Sequence, residues 1–260
     1  MAVDFFVRFN LHRSPSSLPL SVEALRPHLK REDEELACML REIDAAQAER
    51  AEALRKKYPE ETTALCGKKV LFLGDSITSD NLGYRGTVTG AAKLLGIDGS
   101  ISGGTSSMLL HGAKLSVEKE RPDLVSLMVG SNDSVSIEEM ELHQVSPSEY
   151  ERNVRQMVAW AKRSGARVLL FEIPPVVEAR FQRNFSGQAK LQSNETVRSY
   201  NERLQGIARE AGVELIGQGW LSEDEANYEK DGIHLSVQGH EAFAERWLLK
   251  AYEIIKQRDV

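Results

Sequence analysis

From Lys69 onward, short runs of β-branched and aliphatic residues alternate with longer stretches in which apolar residues recur at helical spacing. The runs predict strands over 70–73, 99–102, 123–129, 166–173 and 213–216. The longer stretches predict helices over 86–95, 108–120, 148–164, 196–211 and 236–256. Five strands joined by such crossovers require a mostly parallel sheet covered on both faces. Ligands of such sheets gather outside the carboxyl ends of the strands, so chemistry is to be sought in the residues just past each strand.

The leading residues follow another pattern. Phe5, Val7, Phe9 and Leu11 alternate with Arg8, Asn10 and His12, a period of two that predicts a short strand on a sheet edge, before the turn-rich stretch 14–17. A weak helical pattern follows over 22–30, and a stronger one over 34–58 with Leu36, Met39, Leu40, Ile43, Ala51 and Leu54 on one stripe. Gln47 and Arg50 interrupt that stripe. The expected organisation is a mainly helical extension over 1–66 and a main domain over 67–260. The extension either packs on the domain as an appendage or serves as an active-site lid or as an arm for a homo-oligomer.

Composition narrows the function. The 260 residues carry 33 Lys plus Arg against 39 Asp plus Glu, a formal net charge of −6. Without a long basic run this speaks against nucleic-acid binding, which needs a basic surface to neutralise phosphates. No apolar run approaches the roughly 18 residues of a membrane span. Asp4, Arg8 and Arg13 run through the only apolar patch near the start, too charged for a signal peptide, so a cytoplasmic location is expected. Cys38 and Cys66 stand alone, without the spacing of a zinc site or a redox pair.

Four strand-end segments carry chemistry. Gly74-Asp75-Ser76-Ile77-Thr78 puts a hydroxyl at a strand-to-loop corner. Ser102-Gly103-Gly104-Thr105-Ser106 offers backbone amides that a ligand can approach closely. Gly130-Ser131-Asn132-Asp133 adds an uncharged amide donor, and Asp231-Gly232-Ile233-His234 a carboxylate and an imidazole within reach around a tight turn. Each alone is also an ordinary turn. Together they supply a nucleophile, a base, a group to orient the base, and donors for an oxyanion.

In that order the four segments resemble the GDSL or SGNH hydrolases, a family of esterases, lipases, carbohydrate deacetylases and some acyltransferases; the likeness spans about 69–256. It rests on Val70 to Thr78, Ile101 to Ser106, Val129 to Asp133, and Asp231 to Leu235, with Ile77 where the family's best-known motif has Leu. The resemblance implies a three-layer α/β/α fold with a five-stranded parallel sheet in the flavodoxin-like order 2-1-3-4-5. It also implies Ser76 as nucleophile, His234 as general base and Asp231 as its orienter. The oxyanion hole it implies comes from the backbone N–H of Ser76, the backbone N–H of Gly103 and the Asn132 side chain, with a one-residue choice between Gly103 and Gly104 left open by the Gly pair.

The expected activity is hydrolysis of a short-chain ester, acetyl in the leading reading, of a small molecule or carbohydrate, through an acyl-enzyme and with no metal or organic cofactor. An acyltransferase on the same triad, or a silent binding protein on the same fold, is the alternative. Gly74 to Thr78 lacks the second Gly of a G-x-S-x-G elbow, and neither Gly67-Lys68-Lys69 nor Gly217-Gln218-Gly219 completes a nucleotide-binding motif. His111, His143 and His240 have no metal-like spacing and read as surface or helix-packing residues. Glu172, at a strand end, and the segment 176–195, which reads as a long loop carrying Arg180, Phe181, Arg183, Asn184 and Phe185, are expected to border the cleft.

Overall fold

The computed structural model describes residues 3, 5–9, 20–137, 142–188 and 190–256. In chain order the helices and strands are α1 (Phe5–Phe9), α2 (Val22–Leu25), α3 (Asp33–Lys57), α4 (Pro59–Ala64), β1 (Lys69–Gly74), α5 (Ser76–Ser79), α6 (Tyr84–Ala92), β2 (Leu95–Asp98), α7 (Ser106–Glu120), β3 (Leu124–Met128), β4 (Ser136–Ile137), β5 (Leu142–His143), α8 (Pro147–Arg163), β6 (Arg167–Phe171), α9 (Glu178–Phe185), β7 (Lys190–Leu191), α10 (Asn194–Ala211), β8 (Glu214–Ile216) and α11 (Val237–Lys256).

The main sheet is parallel throughout, in the order β2-β1-β3-β6-β8, the doubly wound arrangement expected above. Strand alternation sorts its side chains into two layers. Val70, Phe72, Leu124, Met128, Leu169 and Phe171 enter one core with α6 and α11. Leu71, Leu73, Val125, Leu127, Val168 and Leu170 enter the other with α7, α8 and α10. The buried Ser126 of β3 is satisfied by the Trp247 indole N–H at 3.0 Å. A small sheet, β5-β4-β7, antiparallel in both pairings, lies beyond the ends of β3 and β6.

Three local expectations are corrected. Residues 5–9 are a helix, not a strand. Over five residues Phe5 and Phe9 satisfy both a period of two and an i,i+4 pair, and their rings meet at 4.5 Å. Leu11, Asn10, His12 and the stretch 14–17 lie outside the described residues. The second strand falls at Leu95–Asp98, because the left-handed Lys93 (φ 50°) ends α6 early and turns the chain straight into the sheet edge. Residues 99–102 still run along β1, with the Gly99 N–H on the Phe72 carbonyl at 2.8 Å and that of Ile101 on the Gly74 carbonyl at 2.9 Å. Finally, 176–195 is no open loop, since it contains α9 and β7, with Phe181 buried against Phe185.

The two polar residues that interrupt the α3 stripe fasten it. The Gln47 amide donates to the carbonyls of Asn81 (2.9 Å) and Gly83 (3.0 Å) and accepts from the Thr87 hydroxyl at 2.9 Å. Arg50 donates to the Leu82 carbonyl at 2.6 Å. The first half of α3 shares a small core of Val7, Leu25, Leu36, Met39 and Ile43 with α1 and α2. Its second half, through Ala51 and Leu54, joins the main core. Among the described residues no helix is long and apolar enough to cross a membrane.

Candidate active site

β1 ends at Gly74, where a Cβ would sit 2.6 Å from the Met128 carbonyl oxygen of the neighbouring strand, so only glycine lets the chain turn there. Asp75 caps the short α5, its carboxylate accepting from the Ile77 N–H at 3.1 Å. Ser76 is thereby set at the first helical position, where the backbone N–H has no helical partner. The Asp75 side chain is fully buried. Burial pushes its carboxyl up to about 6, against the opposing hydrogen bond from Ile77.

Asp231 and His234 lie on a tight turn before α11. Gly232 takes φ +77° there, and a Cβ at that position would also meet the Val177 carbonyl oxygen at 2.6 Å. The turn is closed by the Glu229 N–H on the His234 carbonyl at 2.8 Å and by the bridge between Tyr228 and Leu235. One Asp231 oxygen accepts the N–H groups of Ile233 and His234, both at 3.0 Å. The other lies 2.6 Å from His234 Nδ1. Burial works to raise Asp231, but the imidazole bond, its charge and the two backbone donors prevail and hold the carboxyl below its ordinary value.

A carboxylate at Nδ1 fixes that nitrogen as the protonated one and leaves Nε2 as an acceptor. Nε2 faces the Ser76 hydroxyl at 2.9 Å. Hydroxyl, imidazole and carboxylate, with Ser76 and His234 158 positions apart in the chain, thus form one unbroken hydrogen-bonded line at the carboxyl edge of the sheet.

Gly103 and Asn132 arrive at the same edge from the loops after β2 and β3. The Gly104 N–H is engaged by the Ile101 carbonyl at 2.8 Å, whereas Gly103 is exposed. The Asn132 side chain donates one N–H to the Gly104 carbonyl at 3.1 Å, which fixes the amide and leaves its second N–H for another acceptor. Asp133, singled out in the sequence only as part of its motif, ties the two loops together by accepting the Ser106 N–H at 3.0 Å and the Ser106 hydroxyl. Burial raises it too, to about 6, against those bonds. Asn153 completes the tie by donating to Ser106 (3.1 Å) and Ser107 (2.9 Å).

Other sequence candidates take structural posts. Glu172 accepts from Gln205 at 2.7 Å and from the Gln218 N–H at 3.3 Å. Arg180 and Asn184 hold the Asp231 turn from outside, donating to the carbonyls of Glu225 (3.0 Å) and Lys230 (2.8 Å). His111 is on the surface, and His143 packs edge-on against Tyr200. His240 is not on the surface: it is buried, accepting the Tyr84 N–H at Nδ1 (3.2 Å) and donating from Nε2 to Asp80 (3.0 Å). Sequence reasoning missed Asp80 and the role of Arg8, whose guanidinium grips Asp80 at 2.9–3.1 Å. No short-range signal marks a network whose members lie 72 and 160 positions apart.

A doubly wound parallel sheet with a serine, a histidine and an aspartate aligned at its carboxyl edge defines a class, the three-layer α/β proteins equipped for ester chemistry. The chain belongs to the GDSL-like lipase/acylhydrolase family, whose model matches residues 72–242, and is a carboxylic ester hydrolase of that family. Among relatives, it is 29% identical over 198 residues to the isoamyl acetate-hydrolyzing esterase 1 homolog of Mus musculus, covering 69% of this chain and 79% of that one. The Homo sapiens counterpart is 26% identical over 205 residues, with 72% and 83% covered. Among solved structures, an acetylxylan esterase from Geobacillus stearothermophilus superposes with a TM-score of 0.57 at 25% identity, covering 73% of this chain and 94% of that one. A GDSL-like lipase from Bacteroides thetaiotaomicron, at 22% identity and a TM-score of 0.55, shares the fold, with 78% and 97% covered.

Proposed function

We propose that the protein hydrolyses acetyl or similarly short acyl esters through a covalent intermediate on Ser76. The observation that carries this reading is the line from Ser76 Oγ to His234 Nε2 (2.9 Å) and from His234 Nδ1 to Asp231 (2.6 Å). Ser76 Oγ attacks the ester carbonyl carbon while its proton passes to His234 Nε2. Asp231, kept ionised by its donors, holds the imidazole in register and stabilises the imidazolium that forms. The negative charge that develops on the carbonyl oxygen is met by the N–H of Ser76, the N–H of Gly103 and the free N–H of Asn132. Collapse of the tetrahedral adduct breaks the bond to the alcohol, which leaves with the proton from Nε2. Water activated by the same nitrogen then releases the acid and regenerates Ser76.

Gly103 is preferred over Gly104 as donor because the Gly104 N–H is already engaged. The acyl assignment is supported by the relatives: isoamyl acetate and acetylxylan differ in the alcohol part and share the acetyl group. The alcohol of this chain's substrate is accordingly left as a small molecule or a carbohydrate. The test is turnover of p-nitrophenyl esters from acetyl to long acyl chains by the parent protein and by Ser76→Ala. The expected result is activity concentrated on the short esters and a loss of about 10⁴-fold or more in the variant. Turnover retained by Ser76→Ala would overturn the assignment.

A further inference from the structure

We propose that the N-terminal helix α1, which lies outside the matched family region, is a wall of the acyl site, with Phe5 and Phe9 limiting acyl length and Arg8 anchoring them. This rests on the Ser76 esterase reading. The Phe9 ring lies 4.2 Å from the His234 imidazole, centroid to centroid, and Phe5 meets the same imidazole edge-on at 5.8 Å. Phe9 is buried, while Phe5 is half exposed and so borders solvent beside the base. Beneath them Ser76 is 8% and His234 9% exposed, so the reacting pair is nearly closed to solvent.

A helix of five residues does not persist by itself in water, so tertiary contacts must hold α1 in place. Those contacts converge on the two segments that carry the reacting groups. On the Ser76 side, Asn81 donates from its backbone to the Arg8 carbonyl (2.8 Å) and from its side chain to the Val7 carbonyl (2.7 Å). The Ser79 hydroxyl reaches the Phe9 carbonyl at 3.4 Å, and Asp80 receives the Arg8 guanidinium. On the His234 side, the same guanidinium donates to the Leu235 carbonyl at 2.9 Å and to Glu229. Arg8 therefore fastens the two rings across the nucleophile segment and the histidine turn together. A long acyl chain entering beside His234 meets these rings, whereas an acetyl group stops short of them.

The experiment compares p-nitrophenyl acetate with p-nitrophenyl hexanoate on full-length parent, Phe5→Ala, Phe9→Leu and Arg8→Met proteins, each checked for a cooperative thermal transition. Phe5→Ala changes a half-exposed position and Phe9→Leu keeps the site apolar, so both should fold. The expected result is a hexanoate-to-acetate ratio of kcat/KM raised about tenfold or more in Phe5→Ala, since a few methylenes of room in an apolar site discriminate by at least that much. Arg8→Met, which keeps both rings but cuts their anchor, should raise the ratio as well. Labelling of Ser76 by a fluorophosphonate separates the two readings. A parent protein that is neither labelled nor active would overturn the serine-esterase reading and the wall with it. Normal labelling with an unchanged ratio in folded Phe5→Ala and Arg8→Met would overturn the wall alone.

Discussion

His234 and His240 each face an aspartate, yet their surroundings give them different work. His234 uses Nδ1 on Asp231 and turns Nε2 to a hydroxyl that can lose its proton. His240 has both nitrogens engaged, Nδ1 by the Tyr84 N–H and Nε2 by Asp80, within a fully buried site. Burial, with the charges of Arg8 and Arg50 behind it, holds His240 below its ordinary value against the pull of Asp80. A histidine beside a carboxylate becomes a candidate base only when its other nitrogen is free to face a nucleophile. The second pair is structural: it joins α11 to the segment after Ser76 and supplies Arg8 with a charged partner.

The sharpest way to break this contrast is to remove each imidazole. His234→Ala should lower kcat/KM for p-nitrophenyl acetate by about 10⁴-fold or more, with a smaller loss of thermal stability than removal of His240, since Asp231 keeps its two backbone donors. His240→Ala should do the reverse, costing about 3 kcal/mol by leaving Asp80 and the Tyr84 N–H short of a buried partner, or roughly 6–12 °C in Tm. Turnover by its folded fraction should stay near the parent's. Equal kinetic losses in the two variants would mean that the pairs are not divided in this way.

The carboxylates sharpen the same contrast. Asp231→Asn should lower kcat by about 10⁴-fold, because an amide can leave the imidazole in the wrong tautomer. A smaller effect is expected for Asn132→Ala, about 10²- to 10³-fold in kcat, the usual cost of one oxyanion donor. That variant also frees the Gly104 carbonyl, so its KM for p-nitrophenyl acetate should be compared with its kcat. A change confined to KM would count against Asn132 as a donor to the transition state.

Much of this was legible in the sequence because it is local. Strands β1, β3 and β6 are buried on both faces and read as continuous apolar runs, and the candidate motifs lie within a few residues of the ends of β1, β2 and β3 or in the last turn before α11. What was misread lacked that local imprint. β2 is a half-exposed edge strand holding Gly96, and its sequence carries little of the burial signal. α9 has only eight residues, barely two turns, so the single i,i+4 pair of Phe181 and Phe185 is too short a stretch to show a helical period. Gln47 and Arg50 look like flaws in an apolar stripe until the carbonyls of Asn81, Leu82 and Gly83 are seen beneath them.

The smallest expected effect separates the buried carboxyls by the sign of their pH dependence. At Asp80, burial is outweighed by the His240 hydrogen bond and the Arg8 guanidinium, and the carboxyl lies below its ordinary value. Its contribution to stability is therefore in place above about pH 4 and is lost as pH falls through the folded-state value. Asp75 and Asp133 have the opposite sign, since burial raises both to about 6. Their contribution is complete below about pH 4 and is lost as pH rises through 6. Thermal stability should thus climb out of the acid range and then slacken between pH 5 and 7. Asp75→Asn keeps the oxygen that accepts the Ile77 N–H but cannot ionise, so the fall in Tm from pH 5 to pH 7 should be smaller in the variant than in the parent. An identical fall in both would mean that the Asp75 carboxyl does not titrate in that range. The buried acid beside Ser76 would then have to be assigned a single charge state throughout.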